Sequence, residues 1–206
     1  MTIHIQENKD LQTARRTILV AHVLLALTTL GAFFGLAAWL QKSGGHAERL
    51  SGFFTSPLMG VLLLCMLAVF VFQIAGYYKL AKVSRNLLIF RCIAFPYIAD
   101  AILSLLALML FPKASLDQML HVKSITFLLY LYYSYRLFDE LSRVTQDRAF
   151  KRGVLLIGGA LGLLFLLANL GPALVANWGI LLVVSMVVGW GMIFLGFVRL
   201  KQISTP

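Results

Sequence analysis

Apolar residues fall along this chain in six blocks, each about 20 residues long, separated by short polar stretches in which Lys and Arg concentrate. A bilayer core of about 30 Å takes about 20 helical residues to cross. Backbone groups in lipid have to pair within their own segment, so runs of this length become helices. The pattern predicts spans at 17–40, 57–79, 87–111, 119–138, 153–172 and 178–200. The expected fold class is an all-α integral membrane protein, a six-transmembrane-helix bundle forming one multi-pass domain over residues 1–206.

Two blocks are less plain than the others. Span 1 follows Arg15 and Arg16 and resembles a secretory signal, but its apolar run is longer than an ordinary signal core, so it is expected to stay in the protein. Segment 4 has an uncharged core of only 12 residues, Ser124 to Tyr135, between Lys123 and Arg136. It is expected to cross all the same. Otherwise 112–152, with seven basic residues, becomes an external loop, whereas a crossing lets Lys123 and Arg136 snorkel to opposite surfaces.

Charge adds an orientation. The net charge of +10 would suggest a nucleic-acid partner in a soluble chain, but the positions of the charges exclude one. Lys9, Arg15 and Arg16 precede span 1, and Lys79, Lys82, Arg85 and Arg91 surround the junction of spans 2 and 3. Arg136, Arg143, Arg148, Lys151 and Arg152 lie between spans 4 and 5, and Arg199 and Lys201 follow span 6. Only Lys42, Arg49, Lys113 and Lys123 fall on the opposite side. This positive-inside pattern predicts that both termini are cytoplasmic and that the basic face meets anionic lipid. Compact loops point to a bacterial inner membrane. Charged residues are 13% of the chain against about 25% in soluble domains, and no stretch between spans has room for an appended soluble module. Cys65 and Cys92 lie within apolar blocks, where each is expected to act as a small hydrophobic residue.

The connecting stretches carry weaker signals. The outer loop 41–56, with Gly44-Gly45, the Glu48/Arg49 pair, Phe53 and Phe54, is expected to be flexible and interfacial. In 136–152, Leu137, Leu141 and Val144 recur at helical spacing beside Asp139/Arg143 and Asp147/Lys151 pairs, which predicts an amphipathic continuation of span 4 along the inner surface. The inner ends of spans 2, 4 and 6, from Gly76, Tyr133 and Gly196 onward, each hold a basic-Leu pair with a Ser five or six residues after the basic residue. Three related helical hairpins would produce that pattern, and so would recurrent aromatic belts with basic flanks. Small-xxx-small pairs at Gly31/Gly35, Gly158/Gly162 and Ser185/Gly189 are candidate close helix contacts. Spans 5 and 6, free of ionisable residues, read as a hairpin packed on the rest of the bundle or on another copy.

Candidate chemistry belongs to spans 1 to 4. Asp100 lies at the middle of span 3, where an acidic residue costs about 2.5–3.5 kcal/mol to insert. It shares a helix face with Cys92, Pro96 and Ser104, and Pro96 removes a backbone hydrogen bond and invites a kink. His22, Gln73, Arg91 and Tyr130 occupy neighbouring depths, and with Asp100 they would line a wet cavity open to the cytoplasm as an ion or substrate site. The alternative splits the set, with Arg91 and His22 snorkelling, Gln73 in an interhelical hydrogen bond and Tyr130 in an aromatic belt.

No catalytic residues, metal ligands or cofactor motif emerge. The residues favour a small transporter, permease or channel with a midplane acidic site. The alternative is a non-catalytic accessory or scaffold subunit of a membrane complex, with an intramembrane enzyme last. The expected partners are the lipid bilayer and either a second copy or a membrane subunit, with no nucleic acid.

Overall fold

The computed structural model describes residues 2–5, 8–42, 56–110 and 116–204. Along them run β1 (Thr2–His4), α1 (Lys9–Lys42), α2 (Pro57–Ser84), α3 (Leu87–Leu110), α4 (Leu116–Thr145), α5 (Arg148–Leu170), α6 (Pro172–Arg199) and β2 (Gln202–Ser204). Five helices, α1, α2, α3, α5 and α6, are long and apolar enough to cross a membrane, so the chain is a multi-pass membrane protein. The sixth, α4, has 30 residues, about 45 Å at 1.5 Å per residue, but its apolar part is short and Arg136, Asp139, Glu140 and Arg143 follow it. The outer-loop residues Gly44, Gly45, Glu48, Arg49, Phe53 and Phe54 lie outside the described residues.

Polar side chains punctuate the helices where the chain turns. Asn8 Oδ1 accepts the Leu11 N–H at 3.0 Å and starts α1. Ser56 caps α2, with Pro57 in its first turn. That helix stops at Arg85, whose left-handed φ of 52° breaks the hydrogen-bond run, and Asn86 restarts it by accepting the Leu88 N–H at 3.1 Å. The same device separates α4 from α5. Gln146 takes φ 58°, and Asp147 Oδ1 accepts the Ala149 N–H at 2.8 Å.

This turn corrects the amphipathic extension expected over 136–152. The helix does continue past span 4, but only to Thr145, and Leu137, Leu141 and Val144 are buried in the bundle rather than laid along a membrane surface. With Asp147 committed to the cap, the ion pairs also differ from those expected. Arg143 meets Glu140 at 3.0 Å, and Lys151 reaches across to Asp139 at 2.8 Å.

Successive helices run in alternate directions and pack side by side in chain order, and α6 returns to touch α1, so the six form a closed ring. Packing is most extensive within the pairs α1/α2, α3/α4 and α5/α6. The ring is fastened at one end. β1 pairs antiparallel with β2, Ile3 opposite Ile203, and Arg15 Nε donates to the Phe197 carbonyl at 3.0 Å across the α1/α6 seam. Ser204 Oγ donates to the Val144 carbonyl at 2.8 Å, and Asn86 Nδ2 to Glu140 Oε1 at 2.7 Å. Both ends of the described chain, the α2–α3 turn and the α4–α5 turn therefore meet at one end of the bundle, here the terminus end.

The close-packed core occupies that same end. Leu11, Ala14, Ile18, Tyr77, Leu80, Ile89, Leu137, Leu141, Phe150, Phe197 and Ile203 form one buried cluster. Phe150 meets Phe197 edge-on at 4.8 Å, and Phe197 meets Tyr77 at 6.1 Å. Leu80, Leu137 and Leu200, the leucines of the three recurring basic-Leu pairs, are all buried. Toward the other end the described buried residues thin out to Thr28, Leu62, Ala107, Thr126, Ala160 and Leu182, while Phe33, Phe34, Met109 and Ile180 lie exposed on the outside.

Glycine packing departs from the expected pairs. At Gly158 and Gly162 an added Cβ would meet nothing within 4 Å, so neither sits in a close helix contact within this chain. The α5/α6 crossing runs instead through Gly153 and Gly189, where a Cβ on either would come within 2.6 or 2.7 Å of the other's carbonyl oxygen. Of the Ser185/Gly189 pair, Gly189 makes the contact, and the Ser185 hydroxyl bonds back to the Leu181 carbonyl at 2.9 Å. Gly31 faces Leu62 at an ordinary 3.7 Å and Gly35 is half-buried. Gly76, pressed on Ile18, and Gly196, pressed on the Phe150 ring, are the tight positions that the spacing pattern did not mark.

Candidate functional site

Above the core, where each helix has moved one or two turns away from the terminus end, the ring holds a partly open cavity of about 200 Å³. All six helices line it. His22 and Leu25 come from α1, Gln73 and Tyr77 from α2, Cys92, Pro96 and Tyr97 from α3, Tyr130 and Ser134 from α4, Ile157 from α5 and Trp190 from α6. At about 30 Å³ per liquid water the space equals some six or seven waters.

Three of the five polar residues singled out in the sequence, His22, Gln73 and Tyr130, meet in this cavity together with Pro96. The helix continues through Pro96, whose buried ring forms part of the wall. Asp100 follows one turn further along the Cys92–Pro96 face of α3, half-buried and within electrostatic reach of the Tyr130 hydroxyl. Arg91 is not part of the set. It is exposed, on a different face of α3 from the buried Cys92 and Pro96.

Toward the terminus end the cavity is floored by buried core residues. Tyr77, Cys92, Leu137 and Ile193 belong to both the core and the cavity wall, and Ile18, Ile89, Phe150 and Phe197 lie nearer that end than His22, Pro96, Ile157 and Trp190 do. The core is thus a plug in direct contact with the cavity. Sequence spacing gave the depth of the polar set but not this closure, which depends on which aromatic rings fill the ring of helices.

The polar groups are arranged for hydrogen bonding rather than for covalent chemistry. His22 Nδ1 lies 2.8 Å from the Ile18 carbonyl, which accepts only, so the ring donates there and Nε2 is the remaining acceptor nitrogen of the neutral form. Its ring lies beside Trp190 at 6.3 Å and Phe197 at 5.4 Å. Tyr97 stands edge-on to Tyr130 at 5.3 Å and to Phe70 at 4.7 Å, which couples α2, α3 and α4 on one side of the cavity. Among the described residues, every fully buried side-chain N or O has a hydrogen-bond partner. Also among them, no three His, Cys, Asp or Glu side chains gather as metal ligands would. Cys92 in the wall and half-buried Cys65 are both free thiols.

Tyr97, Ser134 and Trp190 are cavity residues that the sequence did not mark. Tyr97 follows Pro96 directly, and Ser134 lies one turn from Tyr130; Trp190, in an apolar block with no polar neighbour, carried no signal of its own. No protein-family model, curated protein or solved structure matches the chain.

Proposed function

We propose that the protein is a small transporter or permease of a bacterial inner membrane, with six spans and cytoplasmic termini, whose central cavity receives a small hydrogen-bonding ligand. The observation that carries this reading is a single void walled by all six helices at mid-helix depth, with His22, Gln73, Tyr97, Tyr130 and Ser134 around it. Polar side chains at such depth are expensive and mark pathways or binding sites. The orientation is supported by the fastening of both described chain ends to the same basic-rich end of the bundle. In the arrangement described, the core closes that side, as one state of an alternating-access cycle would.

A different observation favours the runner-up, a non-catalytic accessory or scaffold subunit. Gly158 and Gly162 form a small-residue pair against which nothing among the described residues packs. Reconstitution separates the two readings. In liposomes, Asp100→Asn should keep the wild-type melting temperature yet lose at least tenfold in pH-dependent flux, because the amide keeps hydrogen bonding but cannot ionise. Undiminished flux from a stable Asp100→Asn protein removes the coupling role. No flux from either protein, with a stoichiometric subunit retained in mild detergent, replaces transport by the accessory reading.

A further inference from the structure

A second void abuts the first. Between α4 and α5, on the outer surface of the ring, a groove of about 330 Å³ runs beside Phe127, Gly158 and Gly159. Tyr130, Ser134 and Ile157 line this groove and the central cavity alike, so the two voids share a wall. The groove runs along α5, which is long and apolar enough to span the bilayer, so acyl chains of the membrane are its neighbours. A single extended hydrocarbon chain fits. The groove's surface is mostly apolar, and of its hydroxyl-bearing residues Tyr130 and Ser134 also border the cavity, whereas Tyr135 does not.

We infer that a single-chain amphiphile of the bilayer reaches the central cavity through this groove, its chain lying between α4 and α5 and its small hydrogen-bonding head passing Tyr130 and Ser134. The inference rests on the cavity being the ligand site and names the ligand class. The aromatic and aliphatic core at the terminus end closes that side to a water-soluble ligand, and the α4/α5 groove is a lateral void whose lining continues into the cavity. Tyr130 is the gate, since its ring contacts Tyr97 inside while its side chain also borders the groove. Gly158 and Gly159 keep the passage open because neither position holds a Cβ where the chain would lie.

The test uses Trp190, in the cavity wall, as the reporter. In the full-length Trp39→Phe/Trp178→Phe protein in vesicles, 9,10-dibromostearic acid should quench Trp190 fluorescence in a saturable manner. Gly158→Phe should cut that quenching at least threefold. Gly162→Phe, equally open but outside the groove, should leave it unchanged. Equal quenching in the Gly158→Phe protein overturns the route, as does release of a stoichiometric protein partner by that substitution. Trp190 quenched by aqueous acrylamide but not by the brominated acid overturns the lipid route while leaving the proposed cavity function standing.

Discussion

The two ends of the bundle are built on different principles. At the terminus end, helices are capped, cross-linked by side chains and packed around a continuous core; at the other, the described inward positions are few and mostly small. The first end is held like a soluble domain. Asn86, at the α2–α3 turn, bonds Glu140 of α4, and Ser204 of β2 bonds the Val144 carbonyl of α4, through hydrogen bonds that water or headgroups would otherwise satisfy. The second faces lipid, which is as apolar as leucine and gives helices no hydrophobic reason to associate. The polar cavity sits at the boundary between these regimes. A rigid base and a loosely packed upper half are what a helix bundle needs to change its opening without coming apart.

Core substitutions give the largest expected contrast. Phe150→Ala removes a ring that touches Phe197 and Phe138 and against which Gly196 packs, and should lower stability by about 3–5 kcal/mol. Phe33→Ala, at a side chain 66% exposed on the outer surface, should shift it by less than about 0.5 kcal/mol. Thermal melting in detergent compares the two, and equal losses would mean that both ends are packed alike.

Next in size is the glycine crossing. Gly153→Val drives a side chain into the Gly189 backbone and should cost about 1–3 kcal/mol or more. Gly162→Val enters open space and should melt with wild type. A reversal would place the α5/α6 contact where the sequence spacing first put it.

The smallest effect belongs to the fastening. Asn86→Ala loses both the α3 cap and the bond to Glu140, worth about 1–2 kcal/mol together. Proteolysis near residue 86 should rise in step with it, and no change in either would remove the turn from the set of structural joints.

The contrast also explains what the sequence revealed. Block length and the partition of Lys and Arg exposed the helices and the basic end, because membrane thickness and leaflet charge act on composition directly. The depth of His22, Gln73 and Tyr130 was legible for the same reason, each being a polar residue in an apolar block. Rotation about the helix axis was not. Arg91 and Pro96 are five residues apart, about 140° round the helix, so their spacing separates their faces, but which of the two faces is buried is decided by packing. The β1–β2 pair was invisible because three-residue strands carry no usable periodicity. Gly153 went unmarked beside Arg152, at a helix start where small residues look incidental.

The central claim is that a reachable polar cavity stands directly above an unreachable core, and thiol reactivity reads both in one protein background. With Cys65 and Cys92 replaced by Ser, methyl methanethiosulfonate should modify Ser134→Cys, in the cavity wall, at least tenfold faster than Ala81→Cys, which is 1% exposed in the core. Equal rates in the folded proteins would contradict the account, because the cavity and the plug beneath it would then be one continuous environment.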